Sequence, residues 1–313
     1  MGILRKDYVL DRWVYYATER RKRPMEFKKT EHIKESRVCF FCHGNEHLTP
    51  PEIGRIPEED KWKIRWFPNK FPAVELKGDP KIRKNKFLTY SSAYGVHEVI
   101  AETRFHKKQL ADLSVDHIKD ILKIYTHRIE VLSKLKNIRY VSVFKNHGVF
   151  AGTSLVHSHT QVAAISMLPK EVMDKVNAAK KHSGCPYCDI IKIERKTKRK
   201  IFENKNIIAF APFASRFNFE VSIFPKKHRK NIIDFDDKEL EDLAKILKKI
   251  LLKLKKSNSS YNYYLHYAPK GHDLHFHIEL TPRFAKWGGF ELSTGAIINS
   301  VMPEDAAKFY KSK

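Results

Sequence analysis

The 313-residue sequence predicts an α+β fold built from two tandem modules, each an antiparallel sheet with helices. Three observations predict it. A pattern of cysteines and histidines occurs twice: "CFFC", a histidine in "HEVIAETRFH", then "HSH"; and "CPYC", a histidine in "FEVSIFPKKH", then "HFH". The segments around these residues are short, alternating and β-branched, which reads as strands. Each copy also holds one long segment with apolar residues at helical spacing. Strands grouped around a helix, twice over, define the class.

The elements follow in order. "HEVIAET" is a strand leading to His106. "SVDHIKDILKIYTHRIEVLSKL" is a helix opened by a serine, a residue suited to an N-cap. "IRYVSVFKN" is the next strand, and the His157–His159 strand follows it. The polar "AAKKHSG" before Cys185 is the joint, dividing the chain into modules 1–180 and 181–313. The second module repeats the order with "FEVSIFP", the helix "DDKELEDLAKILKKILLKLKK", "YNYYLHYAP" and the His275–His277 strand. "KIERKTKRK" (Lys192–Lys200) reads as a solvated basic loop.

The formal net charge is +24. Such a charge attracts polyanions, but the lysines are spread along the whole chain, as on a solvated surface. A basic nucleic-acid-binding protein is the disfavoured alternative; it would need basic residues on one face and aromatics free to stack. No apolar run reaches the roughly 18–20 residues of a membrane span. The first residues lack a signal peptide's apolar core, so a cytoplasmic protein is expected.

Cys39, Cys42, His106 and His157 form one candidate four-ligand set; Cys185, Cys188, His228 and His275 form the other. Two cysteines with two histidines suit a closed tetrahedral zinc site, which is structural because no position is left for water. Each pair taken alone also reads as a redox dithiol or a buried apolar pair.

His159 lies two residues beyond His157, on the same strand face. The preceding "NHGVFAGTS" supplies backbone N–H groups and the Ser154 hydroxyl, which can cradle phosphate oxygens. A neutral imidazole beside such a pocket can attack phosphorus. Gln161, the next residue on that face, can donate to a non-bridging oxygen. The competing reading makes His159 a core histidine or a further metal ligand.

Taken together, "ERRKRP", "CFFCHGN", "WFPNKFPA", "HEVIAETRFH", "FKNHGVFAGTSLVHSHTQ" and "LHFHIELTPR" resemble the galactose-1-phosphate uridylyltransferase family of the histidine-triad superfamily. The resemblance covers nearly the whole chain and implies two tandem histidine-triad repeats. It implies that His159 is the nucleophile that becomes nucleotidylated and Gln161 its phosphate-binding partner. Asn146 and Ser154 match phosphate-contacting positions, Arg20 and Arg23 the arginines near the phosphates, and Asn69 a residue on the nucleoside side. The implied reaction is ping-pong exchange of a nucleotidyl group, UMP in the first instance, between a nucleotide sugar and a sugar 1-phosphate. A homodimer sharing its active sites is also implied.

Two segments depart from that family. Its C-terminal half carries an iron-type site that includes a glutamate; Cys185 and Cys188 stand here instead, so a second zinc is expected, with His266 and His277 structural. Phe290-Glu291 falls where a sugar-contacting Tyr-Glu pair would be, and the following "STGAIIN" resembles the related ADP-glucose phosphorylases, which move AMP to phosphate.

Overall fold

The computed structural model describes residues 3–19, 38–58 and 61–312. Its centre is one ten-stranded antiparallel sheet. Five strands come from before the joint: Gly54–Ile56, Ile64–Pro68, Gly95–Ala101, His159–Ile165 and Tyr140–His147. Five come from after it: Tyr261–His266, His277–Pro282, Val221–Pro225, Ile207–Phe210 and Lys200–Glu203. The two duplicated modules therefore share one sheet.

The seam lies between Tyr140–His147 and Tyr261–His266, where Asn146 pairs with Asn262 and Phe144 with Tyr264. Phe144 also pairs with Gln161, two residues beyond His159, and Tyr264 with Glu279, two residues beyond His277. Phe144 and Tyr264 are thus equivalent positions that pair with each other, and a local twofold passes between them.

Both long helices form where their caps and apolar stripes place them. Val115–Ser133 starts at Ser114, whose hydroxyl accepts from the His117 amide at 3.1 Å. Asp237–Lys256 starts at Asp236, which exchanges hydrogen bonds with Glu239 at 2.8 and 2.9 Å, a capping box. The helices pack together on one face of the sheet, burying Ile121, Leu122, Tyr125, Leu247 and Ile250. Full burial of such a side chain contributes about 1.5–3 kcal/mol. Tyr125 and Tyr263 join their hydroxyls across the seam at 2.7 Å.

A three-stranded sheet was not anticipated. Ile3–Lys6 and Trp13–Tyr16 pair antiparallel, and Ile297–Asn299 adds in parallel, so the two ends of the chain meet. The expected solvated loop at Lys192–Lys200 is corrected. The helix Pro186–Glu194 runs into it, and Arg199 turns inward to pair with Glu194 at 2.7 Å and Glu304 at 3.0 Å. A buried glutamate at the helix end draws that guanidinium in.

Candidate functional site

Each Cys-x-x-Cys is bent so that its sulfurs converge. The Cys42 amide donates to the Cys39 carbonyl at 3.3 Å, and the Cys188 amide to the Cys185 carbonyl at 3.1 Å. Cys185 caps the helix Pro186–Glu194 and Cys188 lies in its first turn. His106 and His228 follow strands; His157 and His275 immediately precede them.

The Nδ1 atoms of His157 and His106 lie 3.6 and 3.4 Å from Cys42 Sγ, and that of His157 lies 3.5 Å from Cys39 Sγ. In the second cluster Cys188 Sγ is 3.6 Å from His228 Nδ1 and 3.5 Å from His275 Nδ1. An ion held tetrahedrally at ordinary Cys and His bond lengths sets sulfur–nitrogen edges of about 3.6 Å. Both quartets can therefore hold a metal ion. The opposite nitrogens point outward to fixed acceptors. His157 Nε2 donates to the Thr103 carbonyl at 2.6 Å, and His275 Nε2 to that of Pro225 at 2.9 Å. His228 Nε2 meets Asp273 at 2.9 Å. Such partners fix the ring and tautomer that a metal needs. Burial, and then the neighbouring cysteine, push the Cys42 thiol up to about 11 and that of Cys188 up to about 12. A cation between the sulfurs removes that penalty.

His159 opens its strand and is 6% exposed. Its Nδ1–H donates to the His157 carbonyl at 2.8 Å, so the lone pair is on Nε2. Burial, and next the Lys145 ammonium, hold its pKa below the usual histidine range, so the ring is neutral near pH 7. Phe41 meets it edge-on, with ring centroids 5.4 Å apart.

Gln161 is oriented by a residue the sequence reading passed over. The Ala73 amide donates to His97 Nδ1 at 3.1 Å, which leaves the ring proton on Nε2. That proton goes to Gln161 Oε1 at 2.9 Å, so the Gln161 amide N–H groups face away from His97. The Asn69 side-chain nitrogen lies 3.4 Å from His97 Nε2, which brings Asn69 into the same group. Asn146 stands on the same sheet face, beside the turn bounded by Gly148 and Gly152. Both glycines have positive φ, of 83° and 79°, which a side chain would strain. Ser154 is exposed in the loop leading to His157.

Behind the strand lies a buried ion pair, also unforeseen. Lys145 Nζ donates to Glu102 at 2.6 Å, Ser158 at 3.0 Å and the His159 carbonyl at 2.9 Å. Glu102 also accepts from Ser158 at 2.5 Å and Thr160 at 2.6 Å. A charged residue in the apolar run "YVSVFKN" was the signal for it.

His277 repeats the His159 geometry, with Nδ1–H donating to the His275 carbonyl at 2.9 Å. Its other nitrogen is covered. Lys175 Nζ lies 3.0 Å from His277 Nε2 and 2.5 Å from His266 Nδ1, and pairs with Glu279. His266, His277 and Glu279 are arranged closely enough to hold an ion. A lysine ammonium occupies the middle of them.

Phe290 and Glu291 lie on the short helix Gly289–Thr294. Phe290 packs edge-on against Tyr15, and Glu291 accepts from the Gly288 and Ile298 amides at 2.8 and 3.3 Å. Arg20 and Arg23 lie outside the described residues.

Two duplicated half-sheets with His-x-His at equivalent places define a tandem histidine-triad protein. Comparison with known proteins sharpens this. Residues 4–169 match the galactose-1-phosphate uridyl transferase N-terminal domain, and residues 184–287 match a family described as scavenger mRNA decapping enzyme C-term binding. The chain is 34% identical to an ADP-glucose phosphorylase of Arabidopsis thaliana, over 97% of this chain and 91% of that one. It is 31% identical to a galactose-1-phosphate uridylyltransferase of Thermotoga maritima, over 97% and 96%. The crystal structure of the Arabidopsis ADP-glucose phosphorylase with bound ADP-glucose superposes with a TM-score of 0.87, covering 100% of this chain and 99% of that one. A uridylyltransferase structure superposes with a TM-score of 0.77, covering 99% and 97%. The chain belongs to the galactose-1-phosphate uridylyltransferase and ADP-glucose phosphorylase family, and is a transferase handling sugar nucleotides and phosphates.

Proposed function

We propose that this protein transfers a nucleotidyl group through His159, and that the group is AMP, moved from an ADP-hexose to phosphate. The observation that carries the transfer chemistry is the His159 hydrogen bond to the His157 carbonyl, which leaves Nε2 as the free nucleophile. Nε2 attacks the α-phosphorus, and the bond from phosphorus to the bridging oxygen breaks. Sugar 1-phosphate leaves with that bond's electrons. The ring keeps its Nδ1 proton, and the charge it gains is met by the His157 carbonyl. A phosphate oxygen then attacks the same phosphorus, the P–N bond breaks, and a nucleoside diphosphate departs. Two displacements on one histidine give ping-pong kinetics.

Gln161 and Asn146 donate to the non-bridging oxygens, where charge builds up in the transition state. Ser154, Arg20 and Arg23 bind the phosphates, and Asn69 lies on the nucleoside side. Cys39, Cys42, His106 and His157 hold one zinc ion, and Cys185, Cys188, His228 and His275 a second. When bound, each ion supplies structure. In the first site the His157 side chain would be tied while its carbonyl orients His159. The working unit is a cytoplasmic homodimer, with residues 1–180 and 181–313 as its two modules. Among the described residues no helix is long and apolar enough to cross a membrane.

Adenylyl transfer is preferred because the Arabidopsis phosphorylase is the more similar of the relatives compared, at 34% identity against 31% and a TM-score of 0.87 against 0.77. The tail supports it. Phe290 lacks a hydroxyl, and the Glu291 carboxylate is already engaged by two backbone amides. UMP exchange between UDP-hexose and hexose 1-phosphate is the second reading, favoured by the match over residues 4–169. Intact-mass spectrometry after incubation with ADP-glucose or UDP-glucose separates them. An AMP-sized adduct on wild type, absent from His159→Ala, is expected. A UMP-sized adduct alone would select the second reading, and no adduct with either would overturn both.

A further inference from the structure

The seam between the modules carries a contact that is not repeated by the local twofold. Asn262 Nδ2 lies 2.8 Å from Asn146 Oδ1 and 2.8 Å from the Ala151 carbonyl. The carbonyl can only accept, so the Asn262 atom facing it is the amide nitrogen. That nitrogen has two protons, one for each neighbour, and the Asn146 atom it faces must be oxygen. The Asn146 amide is therefore turned with its own N–H groups away from the seam.

Ala151 belongs to the turn bounded by Gly148 and Gly152. One side chain from the second module thus fixes two parts of the first module's site: the rotamer of Asn146 and the position of the turn. The twofold through Phe144 and Tyr264 relates Asn262 to Ser142, which has no amide to give. The device furnishes the half-site of His159 alone. The other half-site has Lys175 against His277 Nε2.

We infer that Asn262 is a positioning residue for nucleotidyl transfer, holding Asn146 so that its amide N–H groups, and not its oxygen, meet the phosphate. This rests on the proposal that His159 accepts a nucleotidyl group with Asn146 beside the phosphate. An oxygen turned toward a phosphate would repel it, so the orientation decides the sign of the interaction. It also gives the second module a part in a reaction whose nucleophile lies wholly in the first.

The test is Asn262→Asp, which keeps the shape and removes both donors. The Asn146 amide then reverses to donate toward the new carboxylate. Single-turnover formation of the nucleotidyl enzyme from ADP-glucose is expected to slow by roughly 10–100-fold, with donor binding changed much less. Asn262→Ala should shift it the same way by a smaller factor, and serves if the Asp variant does not fold. In an Asn146→Ala background, Asn262→Asp should cost several-fold less than in the wild type, because the link through Asn146 is gone and only the one to the Ala151 carbonyl remains. An unchanged rate, or an equal loss in both backgrounds, overturns the inference. Wild-type protein that forms no nucleotidyl adduct at all overturns the transfer reading beneath it.

Discussion

His97 donates its Nε2 proton to Gln161 Oε1 at 2.9 Å, and it does so because its other nitrogen accepts the Ala73 amide at 3.1 Å. A backbone amide thereby sets a ring tautomer, and the tautomer sets a side-chain amide. In the transfer reading, what reaches the phosphate is the Gln161 donor pair. Replacing His97 by alanine frees Gln161 to rotate without altering any proposed metal ligand. Nucleotidyl-enzyme formation should slow by roughly 10–100-fold, as misplacement of a positioned group does. Metal content should stay at the wild-type value. A His97→Ala enzyme as fast as wild type would show that Gln161 needs no such support.

The two cysteine clusters should differ in what their loss does. Wild-type protein is expected to carry about two zinc ions per chain by plasma mass spectrometry. Cys42→Ser and Cys188→Ser should each lose one. Cys42 lies 3.6 Å from His157 Nδ1, and the His157 carbonyl holds His159 at 2.8 Å. Cys42→Ser should therefore slow adduct formation as well as lower the melting temperature. Cys188 is tied to His228 and His275. Its loss should lower the melting temperature and leave adduct formation on the surviving folded protein near normal. Equal kinetic losses would contradict this division of roles.

The parts of this site that were legible in the sequence depend on local spacing. The cysteine pairs, the His-x-His segments and Gln161 are close in the chain, and a second copy marks the pattern as more than chance. The two long helices carry their own caps at Ser114 and Asp236. What was not legible depends on strand register. Lys145 and Glu102 are 43 residues apart, and Asn262 and Asn146 are 116 apart. Nothing in either local sequence states that these strands are neighbours. The same holds for the seam, where Phe144 pairs with Tyr264 and two modules become one sheet. Lys192–Lys200 misled because its charge was visible and its partners, Glu194 and Glu304, were not.

His147 gives a pH dependence that can be isolated. It stacks on Tyr261 with ring centroids 4.7 Å apart, and burial, then the Lys145 charge, bring its pKa down to about 4. In the unfolded chain a histidine takes up its proton near pH 6.5. Between those values the unfolded state binds more protons, so stability falls as pH drops through the window. From pH 7 to pH 4.5 this one group should remove about 2–3 kcal/mol. His147→Phe keeps the stacking and removes the titration. Urea unfolding at the two pH values should show a smaller acid loss in the variant by that amount; identical losses would exclude His147 as a source.

Two buried lysines differ in what else stands beside their carboxylate partners. Lys145 is 1% exposed and pairs with Glu102, which is 0% exposed. Lys175 is 3% exposed and pairs with Glu279, which also pairs with Arg216. Removing one member of a buried pair strands the other charge, at a cost of about 3–5 kcal/mol. Glu279 keeps a cation when Lys175 is lost; Glu102 has hydroxyl donors but loses its paired ammonium. Lys145→Met should therefore destabilise the protein more than Lys175→Met. Adding Glu102→Gln to Lys145→Met should recover part of the loss, since the amide oxygen can still accept from Ser158 or Thr160 and no stranded charge remains. Urea midpoints for wild type, the two single variants and the double variant decide it. A double variant less stable than Lys145→Met would mean that Glu102 contributes through its hydrogen bonds more than it costs as an unpaired charge.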